Sequence, residues 1–375
     1  MAKILINGLN LSIGGGKNIL DNYIVKLFEN ELKNTYYVLT PNYQLYKNYS
    51  KEKLIVVDIK KIYKNNIFFI GLYFFKFPRL LNELKIDLIF NFGDVIIPTK
   101  TPQIFFFDWA YAVYAEPYIW LGMKAKDRLI RKTKVFLIDH YINKVKLTIC
   151  QTSNIAQRLR QKYDISDLKI ISTPLGMSLP LQSDNNYNLP VGKKYFLYPA
   201  GYATHKNFQI IFKLGRLIEE KGLPFLIVLT IDEEIAVDFL EKVKENNLCS
   251  IFNVGKLKSD EIALLYKLCD AMLFPSLLES YGLPYIEAMA FEKPILTSDL
   301  DFAHAICDDV AFYFDPFDPD SILNVMKRYD DDKIQLEEKI RKGKVIVETL
   351  PDWKEVFLQF EEQIEIILIK DSHAR

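Results

Sequence analysis

The sequence has few cysteines, few histidines and no long uncharged run, and each shortage removes a class of protein. Its four cysteines (Cys150, Cys249, Cys269 and Cys307) are scattered and form no CxxC pair. They read as reduced core thiols of a cytosolic protein, not as a disulfide framework or a zinc site. Four histidines, equally spread out, do not assemble an acid/base set around a substrate. The longest uncharged apolar run, residues 67–75, is far short of the roughly 20 residues that span a bilayer. No basic segment followed by an apolar one opens the sequence as a signal peptide would. Internal repeats and low-complexity tracts are also missing.

Net charge is zero, but unevenly distributed. Residues 1–176 hold 26 Lys+Arg against 14 Asp+Glu, and the remainder holds 22 against 34. A basic half joined to an acidic half points to an anionic partner for the first. No zinc-finger, RRM or helix-turn-helix signature accompanies it, so nucleic acid is not expected. Within 43–64 and 123–146 the lysines alternate with Tyr, Phe and Ile. That pattern fits an anionic membrane surface as well as a solvated basic face.

At 375 residues, half of them apolar, the chain fits two domains of ordinary size. Strand-like apolar runs fall at 3–9, 36–39, 54–59, 87–92, 103–108, 147–152 and 169–173, with helical patterns between several of them. One helix follows the glycines at 14–16, with Asn18 as its expected N-cap, and another spans 153–163 with Ser153 as cap. The polar, Pro- and Asn-containing stretch 179–194 reads as a linker. A second alternating series follows, with strands expected at 195–199, 225–230, 251–254, 271–274, 294–297 and 311–315. Helical patterns fill its gaps at 207–221, 232–246 and 259–269. This alternation predicts an α/β protein of two Rossmann-like domains with a cleft between them, ligands lying beyond the carboxyl ends of the strands. The expected division is a basic domain at 1–176, an acidic one at 177–354, and a last helix at 355–375 that returns to the first domain.

Several motifs fall at those strand ends. Gly14-Gly15-Gly16-Lys17 is not a P-loop, because Asn18 stands where Ser or Thr is needed and Leu11 where the first glycine belongs. Three glycines between a strand and a helix still let backbone N–H groups approach an anion. Asp108 ends an apolar strand beside Trp109 and faces a candidate ligand cleft. In the His205-Lys206-Asn207 segment, Lys206 can neutralise a diphosphate without a metal. Asn207 is expected to cap the next helix, and His205 to be structural.

The strongest signal is FPSLLESYGLPYIEAMA, residues 274–290. It reads as a strand end, a tight loop and a helix start, with Glu279 at the loop entrance and Glu287 about one turn inside the helix. Pro284 suits a first helical turn, where no N–H need be donated. Free N–H groups near Tyr281, Gly282 and Leu283 then point outward with the positive helix end behind them.

This stretch resembles the E-x7-E motif of retaining GT-B glycosyltransferases of the GT4 group. FPS before it, AMAFEKPILTSD after it, GKLKSDEIALLYKLCDAMLFPS upstream and FYFDPFDPDSI downstream extend the similarity, which is strong over residues 195–320 and general before them. The resemblance implies transfer of a sugar, with retention, from a nucleotide-diphosphate sugar to a glycan or lipid-linked acceptor. It implies surface-polysaccharide synthesis at the cytoplasmic face of a membrane. Glu279, Lys206 and Asp108 would be the catalytic residues. Gly15, Gly16, Ser276, Tyr281, Gly282, Leu283 and Glu287 would bind the donor, Glu287 through its ribose. The donor is then a substrate, and no cofactor is required. No metal is expected either: Asp299-Leu300-Asp301 matches the DxD pattern of other glycosyltransferases, but it and Asp318-Pro319-Asp320 read as loop acids. Three positions depart from the family pattern: Tyr202 stands where an arginine is usual, Phe107 where a histidine is common, and Ala305 where a glutamate is common. Two other readings stay open, a GT-B-fold nucleotide-sugar epimerase and a nucleotide-sugar-binding subunit without turnover.

Overall fold

The computed structural model describes the chain apart from residues 10, 12, 13, 59–70, 166, 175–186 and 375. The expected boundary at 176/177 lies outside the described residues, as do parts of the 179–194 linker, the 67–75 apolar run and the 43–64 basic stretch. The chain divides into two compact units. One comprises Met1–Ala115, Ala125–Gly176 and Pro351–Arg375, the other Glu116–Lys124 and Met177–Leu350.

In the first unit seven strands form one all-parallel sheet: β1 (Lys3–Asn7), β2 (Thr35–Thr40), β3 (Leu54–Asp58), β4 (Leu88–Asn91), β5 (Gln103–Phe106), β6 (Leu147–Cys150) and β7 (Leu168–Ile170). Their order is β3-β2-β1-β4-β5-β6-β7. Every residue of β4, β5 and β6 is buried, the near-continuous apolar character of strands covered on both faces. Helix Gly15–Glu29 covers one face together with the C-terminal helix Trp353–Ala374, which sets Phe360 against Tyr23, Phe90, Phe92 and Phe106. A half-buried acid on that helix, Glu361, accepts hydrogen bonds from Tyr23 at 2.6 Å and from Tyr36. Its two tyrosines, one on a helix and one on β2, thus tie the C-terminal helix to the sheet.

The second unit repeats the plan with six parallel strands: β8 (Lys194–Tyr198), β9 (Phe225–Leu229), β10 (Ile251–Asn253), β11 (Ala271–Phe274), β12 (Ile295–Ser298) and β13 (Phe312–Phe314). Their order is β10-β9-β8-β11-β12-β13. In both sheets chain order reverses about the first strand, so a switch point falls between β1 and β4 and another between β8 and β11, where α/β sheets hold ligands.

Four local expectations are corrected. Helix Gly15–Glu29 starts four residues earlier than an Asn18 cap would place it, because Gly14 adopts φ 85° and Asn18 donates its N–H back to the Gly14 carbonyl. Thr152, not Ser153, caps helix Ser153–Lys162, its hydroxyl accepting from the Ile155 N–H. Asn207 precedes helix Phe208–Glu220 with φ 56° but no side-chain cap. Its amide instead donates to the carbonyls of Pro275 and Pro316, tethering two loops. Cys249 is exposed, unlike the other three cysteines, because it lies in the turn leading into β10. Of the DxD acids, Asp318 caps helix Pro319–Arg328 and Asp299 pairs with His304 at 2.6 Å.

Candidate functional site

The second unit gathers most of the expected residues at its β8/β11 switch point. Past β8 the chain makes one 3-10 turn, Thr204–Lys206. Past β11 it enters the loop that holds Ser276 and Glu279. The two loops are pinned together by backbone: Leu277 donates to the His205 carbonyl at 2.8 Å. That pinning places Lys206 Nζ 2.5 Å from Glu279 Oε1. Only 15% and 12% of these two side chains are exposed, so solvent screens the pair weakly. Lys206 also stands 4.9 Å above the Phe274 ring. The hydroxyl of Ser276 donates to the same carboxylate oxygen at 2.5 Å. Glu279 Oε2 takes no hydrogen bond among the described residues, which leaves one carboxylate oxygen for a ligand hydroxyl.

The loop then turns into helix Leu283–Ala290 through Gly282 at φ 70°. A side chain there is doubly disfavoured, since the conformation is left-handed and a Cβ would stand 2.6 Å from the Tyr285 ring. Tyr285 is fixed in turn by a 2.8 Å hydrogen bond with Thr297. Pro284 occupies the first helical turn. The N–H groups of Gly282 and Leu283 fall where no intrahelical acceptor exists, and the helix dipole favours an anion in front of them. Tyr281 is buried beside them.

Glu287 lies one turn further on and is 9% exposed. Its Oε2 accepts from the Tyr266 hydroxyl at 3.0 Å. Burial raises its carboxyl to about 7, with Tyr266 pulling the other way. Tyr266 was not singled out by sequence reasoning. The available signal was a tyrosine on the core stripe of helix Ser259–Leu268, since a buried phenol needs a partner for its hydroxyl.

The first unit brings Gly15, Gly16 and Asp108 to one place at the strand ends. A Cβ built on Gly16 would meet Asp108 Oδ2 at 2.2 Å, whereas Gly15 has open space around it. Burial, then the charge of Asp94, pushes the Asp108 carboxyl up to about 8, against the opposing pull of its own backbone N–H and of Lys134. Lys134 pairs with Asp94 at 2.5 Å and lies 5.5 Å above the Trp109 ring. Lys17 is engaged by Asp21 at 2.5 Å.

The departures from the family pattern have local explanations. Tyr202 packs its ring against Phe208 and Phe239, at centroid distances of 5.0 and 5.8 Å, and so takes an apolar role. Phe107 is core. Ala305 is on the exposed side of the short helix Asp301–Cys307. Among the described residues no three His, Cys, Asp or Glu side chains cluster as a metal site.

Residues 182–344 match the family model of Glycosyl transferases group 1. The O-antigen chain mannosyltransferase RfbU of Salmonella typhimurium is 24% identical over 208 residues, 54% of this chain and 57% of that protein. The chain thus spans about half the length of the curated relatives it matches. Among solved structures, sucrose-phosphate synthase from Thermosynechococcus elongatus superposes with a TM-score of 0.74 at 15% identity, covering 99% of this chain and 100% of that one. Anabaena Alr3699/HepE in complex with UDP-glucose gives a TM-score of 0.68 at 13% identity over 97% and 100% of the two chains. The chain has the GT-B fold, and its residues 182–344 are similar to the Glycosyl transferases group 1 family.

Proposed function

We propose that the protein is a retaining glycosyltransferase that moves a sugar from a nucleotide-diphosphate donor to a glycan or lipid-linked acceptor of a surface polysaccharide. The observation that carries this reading is the Lys206–Glu279 pair beside the start of helix Leu283–Ala290. The lysine and the helix N–H groups supply positive charge where a departing diphosphate would accumulate negative charge. Glu279, with one oxygen held by Lys206 and Ser276, offers the other to a donor-sugar hydroxyl. In a retaining front-face reaction the departing diphosphate oxygen takes the acceptor's proton, so no side-chain nucleophile is needed. Relatives named as O-antigen mannosyltransferases make mannose the first sugar to test.

The acceptor falls to the basic first unit in this reading, and so does contact with an anionic membrane surface. Helix Ala125–Tyr141 supports the latter: Leu129 and Phe136 are 68% and 65% exposed on it, with Lys132 between them. No described helix is long and apolar enough to cross a membrane, so attachment would be at the surface, through apolar tips and lysines. The packing of Tyr202 where a second phosphate-binding cation is usual favours one alternative, a subunit that binds nucleotide sugar without turnover. Transfer and donor hydrolysis assayed over a panel of nucleotide sugars decide between the two: turnover supports the enzyme, and tight binding without turnover supports the subunit.

A further inference from the structure

Tyr266 is completely buried on helix Ser259–Leu268, and its ring stacks on Phe291 with centroids 5.3 Å apart and planes 2° from parallel. A phenol so placed adds nothing to packing through its oxygen, yet the oxygen is aimed at a carboxylate. It lies 3.0 Å from Glu287 Oε2, against 3.3 Å for the Pro284 carbonyl and 3.7 Å for the Met272 sulfur. A single hydroxyl proton goes to the nearest and most basic of these, the carboxylate. The other oxygen of Glu287 is treated differently. Oε1 takes no hydrogen bond among the described residues and is not among the polar atoms sealed from solvent.

We infer that Tyr266 is a positioning residue for the donor nucleotide. Its hydroxyl clamps Glu287 Oε2, and the clamp turns Oε1 toward a vicinal diol of the nucleoside. This rests on the donor-binding reading of Glu287. The chemistry follows from the diol, whose hydroxyls donate and therefore favour an ionised carboxylate. Burial opposes ionisation, and the Tyr266 proton is the one interaction acting on Glu287 that restores it. Cys269 faces Tyr266 from the end of the same helix and acts on it, not on the carboxylate. Without the hydroxyl, the carboxylate stays protonated to higher pH and is free to rotate.

The experiment is calorimetric binding of UDP and of GDP to the full chain from pH 6 to 9, with Y266F and E287Q beside the wild type. Y266F keeps the ring on Phe291 and loses only the hydroxyl. The expected result is that wild-type binding exceeds Y266F binding by about tenfold near pH 6 and about fivefold near pH 7, the equivalent of about one unit of displaced ionisation. The ratio should fall toward pH 9, leaving only the smaller cost of a carboxylate no longer held in place. Taking the ratio at each pH cancels the titration of the ligand's own phosphates. E287Q should bind weakly at every pH. A ratio that stays constant with pH, or equals one throughout, overturns the clamp, because a purely structural tyrosine would act equally at all pH values. Wild-type binding by E287Q overturns the premise that Glu287 holds the nucleoside, and the proposal with it. Should E287Q bind weakly while Y266F matches the wild type, the premise stands and the clamp alone falls.

Discussion

Lys206 and Glu279 lie 73 positions apart in sequence and 2.5 Å apart in space, joined because Leu277, in the loop after β11, donates its N–H to the carbonyl of His205, in the loop after β8. Replacing Lys206 by Ala removes the cation that pairs with Glu279 and leaves a mostly buried carboxylate that keeps its hydrogen bond from Ser276. Transfer should fall by about 10²- to 10³-fold in kcat, the usual loss for one transition-state charge contact. Steady-state kinetics with the accepted nucleotide sugar measure it, and an effect confined to KM would move Lys206 from catalysis to ground-state binding.

The two glycines after β1 should behave differently. Gly16→Ala drives a Cβ against Asp108 and against Leu11, at 2.2 and 2.9 Å. A stability loss of about 1–3 kcal/mol is expected, as for other overpacked sites. Gly15→Ala meets nothing within 4 Å and should stay within about 0.5 kcal/mol of the wild type. Denaturant unfolding compares them. If Gly15→Ala nonetheless weakens donor binding, the loop approaches its ligand through backbone.

Asp108 makes a pH prediction whose sign follows from linkage. Its carboxyl sits at about 8 in the folded chain, well above the ordinary range near 3.9. The folded state therefore holds a proton that the unfolded chain releases. The stability this contributes is fully present below the ordinary range and is lost as the pH rises to about 8. In Asp108→Asn that decline should flatten between about pH 4 and 8. Thermal unfolding across this window tests it, and parallel profiles for the two proteins would show that Asp108 is ionised and solvated.

Surface binding should depend on charge first and apolar tips second. Flotation with anionic vesicles should recover the protein at low salt and lose most of it at high salt. Lys126→Glu combined with Lys132→Glu should abolish recovery, and Phe136→Ser should reduce it at low salt. Absence of binding at every salt concentration would leave the basic first half as a solvated face.

Much of the fold is legible in the sequence because the strands are short apolar runs separated by helical periodicity, and burial on both faces leaves them little else to be. The ends of elements are less legible. Asn18 and Asn207 are good capping residues by type, yet a glycine conformation displaces one and two loop carbonyls claim the other. Helix Ala125–Tyr141 escaped periodic reading because only Leu137 and Ile138 are buried on it, so its charges outnumber its core contacts. At the site, Glu279, Pro284 and Glu287 lie in one stretch and can be read together. The grip of Ser276 and Lys206 on one carboxylate oxygen, and of Tyr266 on another, depends on side-chain reach across strands that no sequence spacing encodes.

On the proposed function, Glu279 positions the donor sugar for transfer. Single-turnover transfer by Glu279→Ala, with nucleoside-diphosphate binding measured on the same sample, tests it most directly. Transfer should fall by at least about 10²-fold while the nucleotide still binds. Transfer at the wild-type rate would contradict it.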